Sequence, residues 1–201
     1  MKFNEFINAL GDYLEKGTFT QSKTPIASVM IPFFERNNEP WIILTKRASH
    51  LKKHSGQVSF PGGKADPEDR NPLETAFRET QEELGIPPQE IRLLGRWNDF
   101  WTPYYDNVAT YIGVLDSMKN LRPSIDEIEK LIFAPLKIFG DESKHWIEER
   151  VHEGKKYHVH YFKVDGEVVW GATGGVIFYL LRDLGVISYG KEFEPTNSGL
   201  T

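Results

Sequence analysis

The clearest local signal in this chain is residues 71–87, NPLETAFRETQEELGIP. Asn71 is a favoured N-cap residue, and Pro72 suits the first helical position because its missing N–H is not needed there. Gly85 stands where a helix commonly ends in the left-handed conformation. The stretch therefore predicts a helix over residues 71–84.

The predicted helix carries an acidic face. At about 100° per residue, Glu79, Glu82 and Glu83 fall within one arc beside the apolar face. Arg78 precedes Glu82 by four residues and can pair with it. Glu79 and Glu83 are then left to share a hard cation, and Mg²⁺ or Mn²⁺ suits ligation by oxygen alone. A solvated acidic surface is the competing interpretation.

A turn with two adjacent glycines stands upstream of the helix. Gly62 and Gly63 follow Phe60 and Pro61 at the end of a predicted strand. Glycines let the backbone approach a ligand or a metal closely, although most such pairs are only turns. The turn and the acidic face together favour a binding site over a solvated surface.

Composition limits the class of protein. The chain has 201 residues, with 24 Lys and Arg against 29 Asp and Glu, a net charge of −5. This balance argues against a nucleic-acid partner, which needs clustered positive charge. A hydrophobic share of 39% suffices for a core, and the length fits a single domain over residues 1–201. The absence of cysteine excludes disulfides, thiolate metal sites and a Cys nucleophile.

Neither the longest apolar run nor the first 16 residues carries a membrane span or a targeting signal. The longest nearly apolar run, residues 168–181, is shorter than a membrane span. The first 16 residues contain acidic side chains and lack the apolar core of a signal peptide. We therefore expect a cytoplasmic protein without a membrane partner.

Apolar periodicity predicts the remaining elements. Helices are expected at 1–17, 125–131 and 173–184, and strands at 26–34, 41–45, 91–97, 108–115 and 157–164. The first two strands form a hairpin, because a polar turn separates them. The order lacks strict alternation of strand and helix, so we expect an α/β (α+β) domain with a mixed sheet sandwiched between helices.

One stretch is basic in this acidic chain. Residues 46–54 contain four Lys or Arg and two His. Clustered cations of this kind suit the binding of phosphate groups. The competing interpretation is a solvated basic loop.

Residues 78–86, RETQEELGI, together with Gly63, resemble the Nudix box. In that family the box has a Gly, an acidic residue, Arg-Glu, an apolar position, any residue, Glu-Glu, any residue, Gly and an apolar residue. Two departures are present. Thr80 replaces the usual aliphatic residue, and the spacing after Gly63 is one residue longer, which leaves Glu68 or Asp69 as the counterpart of the early acidic position.

The resemblance implies a Nudix fold and divalent-metal-dependent hydrolysis of a nucleoside diphosphate linked to another group. It gives Glu79 and Glu83 as the principal metal ligands, with the Gly63 backbone beside them. Glu82 adds ligation or base character, and Arg78 orients it. Which glutamate accepts the proton from water stays open, because members of the family differ.

A second resemblance covers residues 43–63, with the sequence ILTKRA at 43–48 and FPGG at 60–63. It is similar to the extra motif of the coenzyme A diphosphatase branch, which usually has Leu at the position of Ile43 and Arg at that of Lys52. It implies cleavage of coenzyme A to 3′,5′-ADP and 4′-phosphopantetheine. The candidate substrate-binding residues are Arg47, Lys52, Lys53 and Gly62.

Alternatives stay open at this level. The same chemistry could act on another substrate, such as ADP-ribose or a dinucleotide, and a catalytically silent module that binds a nucleotide is a further possibility. Many relatives pair, so a homodimer is expected. Glu127 is a weaker metal-ligand candidate, and residues 98–107, with Trp101, could stack a base or belong to a sheet. A zinc site at His158 and His160 is disfavoured, because no third ligand has a familiar spacing.

Overall fold

The computed structural model describes residues 1–52, 54–102, 105–152 and 154–190. Within these ranges the chain forms three α-helices and one mixed sheet of eleven strands. The helices are α1 (Phe3–Lys16), α2 (Pro72–Leu84) and α3 (Gly171–Asp183). The strands are β1 (Ala27–Arg36), β2 (Glu39–Arg47), β3 (Val58–Ser59), β4 (Gly62–Lys64), β5 (Ile91–Arg96), β6 (Phe100–Thr102), β7 (Tyr105–Leu115), β8 (Ile128–Pro135), β9 (His145–His152), β10 (Lys155–Val164) and β11 (Glu167–Val169).

The predicted hairpin is confirmed as β1 and β2, which pair antiparallel with Phe34 opposite Trp41. Asn37 and Asn38 form its turn with φ of 56° and 60°, which matches the right-handed twist of the flanking strands. The strand order is β5-β7-β1-β2-β3-β11-β10-β9, with β4 also on β1, β6 on β7 and β8 on β2. The β1–β7 and β3–β11 pairs are parallel, so the sheet is mixed, as predicted.

Helices cover both faces of this sheet, and strand β1 is therefore buried on both sides. Met30 belongs to a buried cluster with Ala76 and Leu84 of α2. The next residue, Ile31, belongs to a second cluster that includes Phe6 of α1 and residues of α3. Successive side chains of a strand point to opposite faces. The predicted sandwich of a mixed sheet between helices is therefore confirmed, as are the N-terminal helix and the helix beginning near residue 173.

The helix predicted around residues 125–131 is wrong. Ile128–Pro135 is strand β8, which pairs antiparallel with the central strand β2, with Leu44 opposite Ile132. The spacing of Ile125, Ile128 and Leu131 imitates a helical period over a short stretch. Pairing with a buried strand overrides this local preference, as tertiary context does for short apolar segments.

Two later elements extend the sheet and position the functional site. Strand β9, which the local pattern did not predict, forms an antiparallel hairpin with β10. Helix α3 packs closely on β10, because a Cβ at Gly174 would lie 2.2 Å from the carbonyl oxygen of His160. Among the described residues, no helix is both long enough and apolar enough to cross a membrane.

Candidate active site

A cleft of about 1000 Å³ is lined by helix α2, which carries the acidic face, and by strands at the β9 edge of the sheet. Helix α2 and strand β4 contribute Arg78, Glu79 and Gly63 to its lining. The second part of the lining comes from β6, β9, β10 and the start of α3, and includes Trp101, Arg150, Tyr157, His158 and Trp170. Glu83 is buried and is not among the described residues that line the cleft. Most of the other residues that the sequence predicts for the site lie in one part of this larger cavity: Arg47, Gly62, Gly63, Arg78, Glu79 and Glu82.

Helix α2 begins and ends where the sequence predicts. The Asn71 side chain accepts hydrogen bonds from the backbone N–H groups of Leu73 and Glu74, both at 3.1 Å. Gly85 closes the helix with a φ of 72°, a conformation that glycine adopts without steric cost. These caps fix the rotation of the helix, and with it the direction of the acidic face.

The paired glycines approach the acidic helix closely. A Cβ at Gly63 would lie 2.4 Å from Oε1 of Glu79, a distance that real Cβ atoms do not reach. The N–H of Gly62 donates a hydrogen bond to the carboxylate of Glu83. The turn therefore meets two of the three predicted metal-binding glutamates.

Glu83 is the most buried carboxylate of the site, with 1% of its surface exposed. Nη1 of Arg47 lies 3.4 Å from Oε1 of Glu83, and the Thr45 hydroxyl lies 3.5 Å from Oε2. Burial raises the pKa of Glu83 to about 8, which Arg47 partly opposes, because a desolvated carboxylate is costly to ionise. Burial also raises the pKa of Glu79.

Arg78 connects several acceptors of the site. Its Nη1 donates to Oε1 of Glu79 at 3.0 Å and to Oε2 of Glu82 at 3.1 Å. Its Nη2 donates to the carbonyl of Lys64 at 2.9 Å. The pairing of Arg78 with Glu82 that the helical spacing predicts is present, and Arg78 also binds Glu79.

Asp69 is the principal anchor of Arg78. Its two carboxylate oxygens accept from Nε and Nη2 of Arg78 at 3.1 and 3.0 Å, and Oδ2 also accepts from the Thr75 hydroxyl at 2.9 Å. These hydrogen bonds lower the pKa of Asp69 to about 2. Of the two early acidic candidates, Asp69 therefore contacts the site, whereas Glu68 is exposed.

The departure at Thr80 has a local explanation. Thr80 is fully buried, and its hydroxyl donates to the carbonyl of Ala76, one turn earlier, at 2.6 Å. A buried hydroxyl with a hydrogen-bond partner costs little. The position can therefore hold Thr in place of an aliphatic residue without disturbing the helix.

The residues of the basic stretch 46–54 have different surroundings. Arg47 and Gly62 line the cleft. Lys46 forms ion pairs with Glu129 and Glu167 at 3.0 and 3.2 Å. Lys52 is exposed and is not among the described residues that line the cleft, and Lys53 lies outside the described residues.

Residues far apart in the sequence complete the site. Glu127, a weak candidate on sequence grounds, lines the cleft, and its Oε2 lies 4.0 Å from Nη1 of Arg47. The sequence pattern does not reveal strand β9, so it does not identify Arg150, which also lines the cleft. His160 is buried and stacked on Phe178 with ring centroids 3.9 Å apart, whereas His158 lines the cleft.

The side chains of the site fit a hard divalent cation by their chemistry. Glu79, Glu82 and Glu83 offer only oxygen donors, and a cation beside the buried Glu83 would stabilise its charged form. In this conformation Arg47 and Arg78 contact these carboxylates. Among the described residues, no three acidic or histidine side chains already converge on one point as a metal centre would require.

The fold and the acidic helix define a Nudix hydrolase architecture, and comparison with known proteins agrees. Residues 24–152 match the family described as NUDIX domain, well over half of the chain. The chain therefore belongs to the Nudix family, whose hydrolases generally use divalent metal ions and small-molecule nucleotide substrates.

Curated relatives of this chain carry the name Nudix hydrolase. Nudix hydrolase 15, mitochondrial, of Arabidopsis thaliana is 38% identical over 158 residues, which are 75% of this chain and 55% of the relative. The chain thus spans little more than half the length of that relative. The uncharacterised Nudix hydrolase NudL of Yersinia pestis is 32% identical over 160 residues, 80% of each chain.

A solved structure shares the fold. The NUDIX hydrolase from Alicyclobacillus acidocaldarius has a TM-score of 0.52 and 18% sequence identity, over 86% of this chain and 100% of that chain. At this identity the likeness shows the architecture alone.

Proposed function

We propose that the protein is a Mg²⁺- or Mn²⁺-dependent hydrolase that cleaves the pyrophosphate bond of coenzyme A and its derivatives, giving 3′,5′-ADP and 4′-phosphopantetheine. The observation that carries the proposal is that Glu79 and Glu82 of the acidic face of α2 line a cleft of about 1000 Å³. This volume lies at the upper end of small-molecule sites and suits a substrate larger than one nucleotide. The motif at residues 43–63 favours coenzyme A among such substrates.

The proposal assigns roles to the three glutamates of α2, to Gly63 and to Arg78. Glu79, Glu82 and Glu83 would hold the cation with the Gly63 backbone. When bound, the cation neutralises phosphoryl oxygens and lowers the pKa of the attacking water. Arg78 orients Glu79 and Glu82. The three glutamates share the acceptance of the proton from water, since the geometry singles out none of them.

In this proposal Arg47 binds a phosphate of the substrate. It lines the cleft, and its buried Nε has no hydrogen-bond partner among the described residues. The side chain as a whole is 26% exposed, so the accessible part of its guanidinium can meet a phosphate, an anion that arginine binds well. Gly62 lies beside it in the lining. Lys52 and Lys53, which precede β3 in the sequence, stay candidate substrate contacts.

The experiment is product analysis by liquid chromatography and mass spectrometry with Mg²⁺ or Mn²⁺. The panel contains coenzyme A, ADP-ribose, dinucleotides and nucleoside triphosphates. We expect coenzyme A to yield 3′,5′-ADP, and Glu83→Gln to lower the rate by about a hundredfold or more, since it removes a metal-binding charge. Glu15→Gln, on the exposed surface of α1, is the matched control and should retain activity.

Other outcomes of the panel have definite meanings. Cleavage of a different compound alone would keep the chemistry and replace the substrate. Binding without cleavage of any compound would identify a nucleotide-binding regulator. The predicted homodimer and cytoplasmic location stay predictions, which sedimentation and localisation experiments test directly.

A further inference from the structure

Three aromatic rings form a stack that leads into the cleft. The rings of Trp146 on β9 and Tyr161 on β10 have centroids 5.1 Å apart and planes inclined by 13°. The rings of Tyr161 and Trp170 have centroids 5.8 Å apart and planes inclined by only 5°. Trp170 immediately precedes α3 and lines the cleft, whereas Trp146 is not among the described residues that do so.

The middle ring of the stack is fixed in place. Tyr161 is buried, and its hydroxyl donates to Oε2 of Glu148 and accepts from Nη2 of Arg150, both at 3.0 Å. Trp170 is held from its backbone as well, because its carbonyl accepts from the N–H of Gly174 at 3.4 Å. The indole of Trp170 therefore rests on a rigid support.

Trp170 keeps a large exposed apolar surface despite this support. Its exposed fraction is 40%. Tyr161 stacks on one face of the indole, and the exposed surface is the part of Trp170 that this contact leaves uncovered. A rigid, half-exposed indole in a ligand cleft is a suitable platform for a flat aromatic group.

We propose that Trp170 is the residue on which the purine base of the substrate stacks, and that it determines the preference for nucleotide substrates. The proposal rests on the proposed function, which places a nucleotide in this cleft. It assigns the region around Trp170 to the base and the acidic face of α2 to the pyrophosphate. Trp101 also lines the cleft. In the part of the chain that the structure describes, its ring neighbour is His152, inclined by 54° at 6.1 Å, and no described ring supports Trp101 as Tyr161 supports Trp170.

Trp146 provides a matched control for Trp170. Both tryptophans stack on Tyr161. Both also have 40% of their surface exposed. Replacing either one by Ala removes an indole from the stack, but only Trp170→Ala removes one from the cleft. The Trp170→Phe variant keeps an aromatic face at the same position.

The test measures binding of the two expected products by isothermal titration calorimetry with Mg²⁺ present. Neither product can be hydrolysed further at the pyrophosphate, so no turnover interferes. We expect Trp170→Ala to weaken binding of 3′,5′-ADP by about tenfold or more, with 4′-phosphopantetheine unchanged because it has no base. Trp146→Ala should leave both affinities unchanged, and Trp170→Phe should recover most of the lost affinity.

Several results would overturn the inference. The first is that Trp170→Ala binds 3′,5′-ADP with wild-type affinity. The second is that Trp146→Ala and Trp170→Ala lose the same affinity for 3′,5′-ADP. The third is that Trp170→Ala loses as much affinity for 4′-phosphopantetheine as for 3′,5′-ADP. AMP is titrated in parallel, so that a base platform can be recognised even if coenzyme A is not the substrate. Failure of the proposed function appears separately, as absence of coenzyme A cleavage by the wild-type protein.

Discussion

A side chain at position 63 has no room beside Glu79. In Gly63→Ala the added Cβ would lie 2.4 Å from Oε1 of Glu79, so the carboxylate must move out of its position. Displacement of a catalytic group by about 1 Å can cost two orders of magnitude in rate. We expect kcat/KM to fall at least about tenfold while circular dichroism stays native. Gly11→Ala, where a Cβ meets nothing within 4 Å, is the control, and a fully active Gly63→Ala would contradict the expectation.

Asp69 determines how firmly Arg78 is held. Its pKa of about 2 lies below the usual value of 3.8, so its charge stabilises the fold above about pH 4, and this contribution is lost as the pH falls towards 2. Asp69→Asn should therefore lower the free energy of unfolding at pH 7 by about 2 kcal/mol, measured by urea denaturation.

Asp66 is the control for this substitution. It lies 3.7 Å from Nε of Arg78 and is more than half exposed. Asp66→Asn should change the free energy of unfolding by less than about 0.5 kcal/mol, since exposed ion pairs contribute little. Equal effects of the two variants would show that Asp69 is not the principal anchor.

At the scale of elements, the N-terminus of α2 depends on one side chain. Asn71 accepts from two backbone N–H groups, which Asn71→Ala leaves without that partner. We expect a loss of about 1 kcal/mol in the free energy of unfolding, measured by urea denaturation. Asn71→Asp keeps the acceptor and should stay near wild type. If both variants lose the same stability, the cap is not the cause.

Elements differed in how far the sequence could predict them. The sequence predicts helix α2 to its ends, because its caps are local interactions within a few residues. It predicts a helix where strand β8 begins, because the apolar spacing suits both periods and only pairing with β2 decides between them. Strand β9 depends in the same way on pairing with β10.

At the scale of the whole molecule, two histidines make the free energy of unfolding depend on pH. They are His145 on β9 and His160 on β10, and both are close to α3. Nε2 of His145 lies 3.1 Å from Nδ1 of His160. Burial lowers the pKa of His145 to about 4 and that of His160 to about 3, so both are neutral in the folded protein at pH 7. In the unfolded chain they take up protons near pH 6.5. Their contribution is therefore complete above about pH 6.5 and decreases as the pH falls.

The corresponding experiment compares urea denaturation at pH 7.5 and pH 5. As the pH falls over this interval, proton uptake by His160 in the unfolded chain should by itself reduce the free energy of unfolding by about 2 kcal/mol. His160→Asn keeps a hydrogen-bonding side chain but cannot take up a proton, so its change over the same interval should be smaller than that of the wild-type protein. The same change in both proteins would contradict the assignment to His160.

The sequence by itself determined α2, its acidic face and the glycine turn, because capping and helical periodicity act over a few residues. It therefore led to the Nudix family before any tertiary contact was known. Only the tertiary structure decided that Arg47 contacts Glu83, that Asp69 rather than Glu68 anchors Arg78, and that Trp170 shares a cleft with the acidic helix. These contacts join residues on different elements, and their distances depend on the pairing and packing of the whole sheet.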